Sequence, residues 1–237
     1  MRTVAVVLAG GSGLRLGGTA PKQLQLLAGR TLLEHCVAAF DQAPGVAEIV
    51  VVMAEVFLDD ARDILHERYG KLRALIAGGT HRTDSTARAI DLLSRGEQDC
   101  NVLFHDAARP LVDQRIIADC VSGLAACQAL GVVVPTADTI VEVTDGVMTA
   151  MPPRHALGRC QTPQGFRLSV IRRGYQLAAA DPQAAAFTAT DDCGIVLRYL
   201  PEVQVRAVPG SERNLKITYP GDLQIAESML AADRMTR

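Results

Sequence analysis

A strand-like apolar run, Val4 to Leu8, breaks into Ala9, Gly10, Gly11, Ser12 and Gly13, with Arg15 and Lys22 behind it. Glycines at that place free backbone N–H groups to face an anion or the edge of a base. Arg15 would meet phosphates as a planar fork and Lys22 as a point charge. Such a combination reads as a nucleotide site, although the glycines alone would equally make an ordinary tight turn. It is neither of the two commonest nucleotide motifs. A P-loop carries Lys and then Ser or Thr directly after its last glycine, where Leu14 and Arg15 stand here, and a dinucleotide turn wants a third glycine where Leu16 stands.

Two more clusters could do chemistry. His105-Asp106-Ala107-Ala108-Arg109-Pro110 ends an apolar run with an acid and a guanidinium that need not pair with each other. Asp106 suits Mg²⁺ or a substrate hydroxyl, because Mg²⁺ takes one or two carboxylates and keeps phosphates and waters as its other ligands. Capping of the following turn is the competing role for Asp106, and His105 reads as a satisfied structural histidine. In Gly78-Gly79-Thr80-His81-Arg82-Thr83-Asp84-Ser85, backbone amides, a guanidinium and a hydroxyl precede a helix, suited to a base edge or a ribose, with Asp84 or Ser85 available as its cap. Lys216 alternates with apolar residues like a solvated strand lysine.

The elements that must hold these residues alternate. Val4 to Leu8, Glu48 to Met53, Leu72 to Ile76, Val102 to Phe104 and Val132 to Val134 read as buried strands; Thr31 to Phe40, Leu58 to Arg68, Ser85 to Leu93 and Ile116 to Leu130 read as helices. Thr31 and Glu34 form a capping box for the first of these. The alternation implies a Rossmann-like α/β fold: right-handed crossovers and a mostly parallel sheet flanked by helices, with ligands at the carboxyl ends of the strands. After Pro135 the pattern changes. Thr139 to Val143 and Val147 to Ala150 flank Asp145-Gly146, a tight hairpin turn. A lone hairpin is marginal in water, so this one should pack on a second subunit.

Composition bounds the rest. At 237 residues, 49% hydrophobic and 21% charged, the chain can bury a core as one α/β domain over residues 1–237. A net charge of -2 gives no global steering toward nucleic acid, and no basic run appears, so any anion site is local. No signal peptide and no span of roughly 20 apolar residues is visible, so no membrane is expected. Six cysteines lack any C-x-x-C pair and read as reduced core residues in a cytoplasmic protein.

Together these segments resemble the 4-diphosphocytidyl-2-C-methyl-D-erythritol synthase family of cytidylyltransferases over nearly the whole chain. The resemblance is carried by the glycine turn with Arg15, by Pro21-Lys22-Gln23, by Arg82 with Asp84-Ser85, and by the HDAARP segment from His105. Asp138-Thr139, Gln161-Thr162-Pro163-Gln164, Thr190-Asp191 and Lys216 complete it. It implies the nucleotide-diphospho-sugar transferase fold with a β-arm at about 137–157, and a homodimer with shared sites. Ala9, Gly10, Gly79, Thr80 and Ser85 would hold cytosine and ribose of CTP, with Gly11, Gly13, Arg82 and Asp106 also on the nucleotide. Arg15 and Lys22 would bind the triphosphate. Asp106, Arg109, Thr139, Thr162 and Lys216 would face the α-phosphate or a polyol phosphate, and Arg154 and Thr190 would reach into the neighbour's site. Arg15, Lys22 and Lys216 are the expected catalytic cations, with Mg²⁺ at Asp106.

The implied reaction needs no nucleophilic side chain, because a phosphate oxygen of the acceptor attacks the α-phosphorus of CTP in line and pyrophosphate leaves. Leu8-Ala9-Gly10-Gly11 departs from the family's usual Pro-Ala-Ala-Gly and is similar to a sister group acting on D-ribitol 5-phosphate, while HDAARP and Arg82 to Ser85 resemble the methylerythritol enzymes. The acceptors differ by one carbon of chain length and a methyl branch, worth only ~1–3 kcal/mol in a pocket. The favoured acceptor is 2-C-methyl-D-erythritol 4-phosphate, in isoprenoid precursor synthesis. D-Ribitol 5-phosphate, a GTP- or UTP-using transferase and a catalytically silent nucleotide-binding homologue are the alternatives.

Overall fold

Alternate residues of the strand Thr3–Ala9 (β1) face opposite layers. Ala5, Val7 and Ala9 enter one buried cluster with Leu33, Val37 and Phe40, whereas Val4, Val6 and Leu8 enter another with Ile90, Phe104 and Phe166. A strand buried on both faces must be central in a sheet covered by helices on both sides, and this one is. The computed structural model describes residues 1–11, 21–96, 98–183 and 191–235, which leaves Gly13, Arg15 and Thr190 outside the described residues.

After β1 the chain forms β2 (Leu26–Leu27), β3 (Arg30–Thr31), α1 (Leu32–Asp41), β4 (Glu48–Met53), α2 (Leu58–Leu65), β5 (Leu72–Ala77) and α3 (Arg82–Leu93). There follow β6 (Asn101–Asp106), α4 (Gln114–Gly123), β7 (Ala129–Pro135), β8 (Glu142–Thr144), β9 (Val147–Ala150) and β10 (Gly158–Arg167). Last come α5 (Leu168–Ala180), α6 (Asp192–Tyr199), β11 (Val205–Pro209) and α7 (Pro220–Met235). The seven-stranded sheet runs β11-β7-β10-β6-β1-β4-β5. From β1 the chain steps outward through β4 and β5 and then returns to β1's other side as β6, with both neighbours parallel to β1. The switch point therefore lies between the carboxyl ends of β1 and β6, where ligands of such sheets collect.

Four differences from the sequence reading have local causes. Strand β10 lies antiparallel between β6 and β7; its polar, proline-containing stretch Gln161–Gln164 gives no strand signal, yet every residue of it is buried. The helix expected over Ile116 to Leu130 ends at Gly123, because Leu130 is needed in the sheet, where it pairs with Gly165 and Arg206. Helix α2 stops at Leu65 rather than Arg68, and Glu67 turns left-handed at φ 52. Asn214 to Thr218 is not a strand; it is tied down by scattered bonds, among them Ile217 N–H donating to Ala108 C=O at 2.8 Å and Asn214 Nδ2 donating to Thr162 C=O at 2.8 Å.

The capping box is present, Glu34 N–H donating to Thr31 Oγ1 at 3.1 Å and Thr31 N–H to Glu34 Oε2 at 2.8 Å. The hairpin is present too, although its first strand is Glu142–Thr144 rather than Thr139 to Val143, and Thr139 to Val141 lie outside it. Asp145 and Gly146 take φ 50 and 79, the paired left-handed values of a tight two-residue turn between β8 and β9. Both of its strands are exposed on every residue. Among the described residues no helix is long and apolar enough to cross a membrane, and all six cysteines are free thiols.

Candidate active site

At the switch point Leu8 pairs with Asp106, and the turn after β6 is stitched back by Ala107 N–H to Leu8 C=O at 2.9 Å. A cavity of about 290 Å³ opens there, lined by Ala9, Gly10, Gly11, Lys22, Thr80, Arg82, Ser85, Asp106 and Lys216 among others. A larger groove of about 1010 Å³ between α3, α5 and α6 shares only His81 and Arg82 with it and lacks the glycine turn, so the smaller cavity is where the phosphate-binding chemistry converges.

Gln23 shapes the start of the glycine turn. Its side chain is buried, and its Nε2 donates to the carbonyls of Ala9 and Gly11. The sequence reading gave Gln23 no role of its own, because its partners are backbone groups and nothing in the residue types announces them. Gly10 and Gly79 are glycines for lack of room: a Cβ on Gly10 would stand 2.8 Å from Ser85 Oγ, and one on Gly79 would stand 2.1 Å from Asp84 Cβ. Ser85 Oγ accepts from Gly79 N–H at 3.2 Å and faces His81 C=O at 3.3 Å. The cap belongs to Asp84, which accepts from His81 N–H at 2.8 Å. Ser85 is thus a loop-holding hydroxyl on the cavity wall.

The cations converge on Asp106. Arg82 Nε lies 3.0 Å from its Oδ1 and Lys216 Nζ 2.8 Å from its Oδ2. Burial pushes the Asp106 carboxyl up, but Arg82 and then Lys216 outweigh burial and hold it well below the usual carboxylate range. Lys216, with 44% of its side chain exposed, is therefore not only a solvated lysine but also a partner of Asp106, and the bond from Ile217 to Ala108 helps lay its segment against the end of β6. Lys22 Nζ donates to Ile217 C=O at 3.1 Å, which sets the two lysines on one wall. Arg109 does not pair with Asp106. Its Nη1 donates to Asn214 C=O at 2.8 Å and its Nη2 to Cys160 C=O at 3.3 Å, and burial lowers its pKa.

Behind Asp106 a relay fixes the strand end. Asp106 N–H donates to Thr162 Oγ1 at 3.1 Å, and Thr162 Oγ1 lies 3.1 Å from His105 Nδ1. His105 Nε2 faces the Arg109 carbonyl at 3.0 Å. A carbonyl only accepts, so Nε2 carries the proton and Nδ1 accepts from the Thr162 hydroxyl. His105 is the satisfied, buried histidine its context suggested, and burial lowers its pKa to about 4. Between that value and the ordinary 6.5 the unfolded chain binds the proton and the native chain does not, so this stability is complete above about pH 6.5 and lost as pH falls toward 4. The loss should reach about 3 kcal/mol. Urea midpoints compared between neutral pH and pH 5 should show it, and His105→Gln should flatten the slope.

Thr139 and Arg154 do not line the cavity of their own chain. Thr139 is exposed, and exposed Arg154 donates from Nη1 to Ala137 C=O at 3.0 Å, beside the hairpin.

A doubly covered α/β sheet that sets a glycine turn and clustered cations at its switch point is built to hold polyphosphate, and the class so defined is the nucleotidyltransferases. Comparison with known proteins narrows the class. The chain belongs to the 2-C-methyl-D-erythritol 4-phosphate cytidylyltransferase family, whose profile matches residues 3–232. It is 51% identical to the Thermobifida fusca (strain YX) protein of that name, covering 97% of this chain and 93% of that one. It is 36% identical to a Haemophilus influenzae bifunctional ribulose 5-phosphate reductase/CDP-ribitol pyrophosphorylase, over 96% of this chain and 48% of the relative. A crystal structure of 4-diphosphocytidyl-2C-methyl-D-erythritol synthase from Anaerococcus prevotii DSM 20548 superposes with a TM-score of 0.84 at 27% identity, covering 97% of this chain and 98% of that one.

Proposed function

We propose that this chain, acting as one domain in the cytosol, transfers CMP from CTP to 2-C-methyl-D-erythritol 4-phosphate and releases pyrophosphate. The observation that carries the reading is the convergence of Lys22, Arg82 and Lys216 with Asp106 beside the glycine turn, in a chain half identical to a relative bearing that name. A phosphate oxygen of the acceptor attacks the α-phosphorus of CTP; the bond from that phosphorus to the bridging oxygen breaks, and the oxygen leaves with pyrophosphate. The nucleophile is already an anion, so no base is needed, and catalysis is the positioning of two polyanions with neutralisation of their charge.

Arg15 and Lys22 take the triphosphate. Lys216 faces the α-phosphate and the acceptor, with Arg109 and Thr139 beyond the cavity lining; the Thr162 hydroxyl, buried and engaged by Asp106 N–H and His105, supports Asp106 from behind rather than touching substrate. Ala9, Gly10, Gly79, Thr80 and Ser85 hold cytosine and ribose, and Gly11 and Gly13 also serve the nucleotide. Asp106 is the one carboxylate lining the cavity among the described residues, and no group of three or more ligating side chains occurs among them. That donor set fits Mg²⁺, which a single carboxylate and the substrate's own phosphates can hold and which would supply further charge neutralisation. Arg154 and Thr190 serve the neighbouring subunit's site in a homodimer. Val143, Val147, Met148 and Met151 expose 59%, 63%, 72% and 66% of their surface along the arm, an apolar stripe that a partner subunit would cover.

Ser85→Ala should weaken CTP binding by about the 0.5–1.5 kcal/mol of one net hydrogen bond without admitting purines, as titration with the four nucleotides would read. Pyrophosphate release with CTP and each acceptor at matched concentrations tests the function itself. A higher kcat/KM with the methylerythritol phosphate supports it. Preference for D-ribitol 5-phosphate would favour the second reading, to which Leu8-Ala9-Gly10-Gly11 and the Haemophilus relative point.

A further inference from the structure

Asp192, at the start of α6, is completely buried, yet it carries a carboxylate. Taking that charge out of water costs several kcal/mol unless cations and donors meet it. Arg82 Nη1 lies 2.9 Å from its Oδ2, and the Tyr175 hydroxyl on α5 donates to its Oδ1 at 2.6 Å. Its backbone is fixed as firmly, because the N–H groups of Asp192 and Cys193 both donate to Gln164 Oε1 at 3.0 Å. The same Arg82 guanidinium reaches Asp106, and Asp106 reaches Lys216. Charges alternate along this row from Asp192 to Lys216. Burial opposes the charge on Arg82, but Asp192 and then Asp106 outweigh it and keep the guanidinium protonated. Burial, then the Asp192 carboxylate, pushes the Tyr175 phenol well up, so it remains a donor.

We propose that Asp192 and Tyr175 are positioning residues for the transfer reaction: they hold Arg82 from behind, and Arg82 in turn orients the carboxylate that fixes Lys216 in the cavity. The inference rests on the function proposed above. Without the Asp192 charge, Arg82 keeps one carboxylate partner and closes on Asp106 as a two-pronged fork, since guanidinium and carboxylate match bidentately. It then competes with Lys216 for Oδ2, and Lys216 loses its anchor. Tyr175 limits how far the Asp192 carboxylate can turn.

The test compares kcat, the KM for each substrate and the melting temperature for Asp192→Asn, Tyr175→Phe, Asp106→Asn and the doubles that combine either of the first two with the third. Asp192→Asn should lower kcat at least ~30-fold while the KM for CTP moves less than about threefold, and Tyr175→Phe should lower kcat by ~3–10-fold. In the Asp106→Asn background either change should cost less than about threefold more, because the path to Lys216 is already cut. A merely structural role would lower the melting temperature and leave kcat of the folded fraction and this non-additivity unmoved. Multiplicative losses, or an unchanged kcat in folded Asp192→Asn, would overturn the proposal. Should Asp192→Asn fail to fold, Tyr175→Phe and its double with Asp106→Asn decide between the same two outcomes. An unmodified protein that releases no pyrophosphate with CTP and either acceptor would instead overturn the function, and this inference with it.

Discussion

Lys22→Ala is expected to lower kcat at least ~100-fold while leaving the fold intact, because it removes a charge-assisted contact to phosphates worth a few kcal/mol in the transition state. Its ammonium is held at the cavity by the carbonyl of Ile217, next to Lys216, so both cations face the same small volume. Truncation leaves the anchors of the glycine turn in place, since those come from the neighbouring Gln23. The loss should therefore fall on turnover more than on thermal stability. Arg15→Ala carries the same expectation as a fork on the triphosphate. Steady-state kinetics with circular-dichroism melts check both, and an unchanged kcat in either variant would remove that residue from the catalytic set.

How much of this was legible before the structure depended on whether a residue's partner lay nearby in the chain. The capping box of Thr31 with Glu34 and the Asp145-Gly146 turn are local, and both stand as read. The strand β1 was legible from its unbroken apolar run, and its glycine end pointed to the switch point. Asp106 was legible as a strand-end acid, but its partners were not: Arg82 and Lys216 reach it from α3 and from a segment near the chain's end. Strand β10 was illegible for a different reason. Its buried residues Gln161 and Gln164 are polar and are satisfied by distant groups, Ser211 C=O for the first and Asp191 for the second, so neither alternation nor β-branching marks the strand. Nothing local marks Asp192, because the groups that meet its side chain come from α3 and α5.

The expectation with the widest consequence concerns Arg154, which stands exposed beside the hairpin and outside its own chain's cavity. If the arm packs on a second copy, two-fold symmetry makes each site borrow the same residue from the other chain. Arg154→Ala should then weaken use of the acceptor phosphate far more than CTP binding. Mixing subunits makes the point decisive. Arg154→Ala and Lys22→Ala chains, each nearly inactive alone, are unfolded and refolded together in equal amounts. Random pairing makes about half of the dimers mixed. In a mixed dimer one site collects both defects, and the other takes Lys22 from one chain and Arg154 from the other and is intact. About a quarter of all sites should therefore work, and activity should return to roughly that fraction of the unmodified level. Differential tagging of the two variants confirms that mixed dimers have formed. Were they present without any recovery of activity, Arg154 would act within its own chain, and the exposed apolar stripe of the arm would need a different occupant.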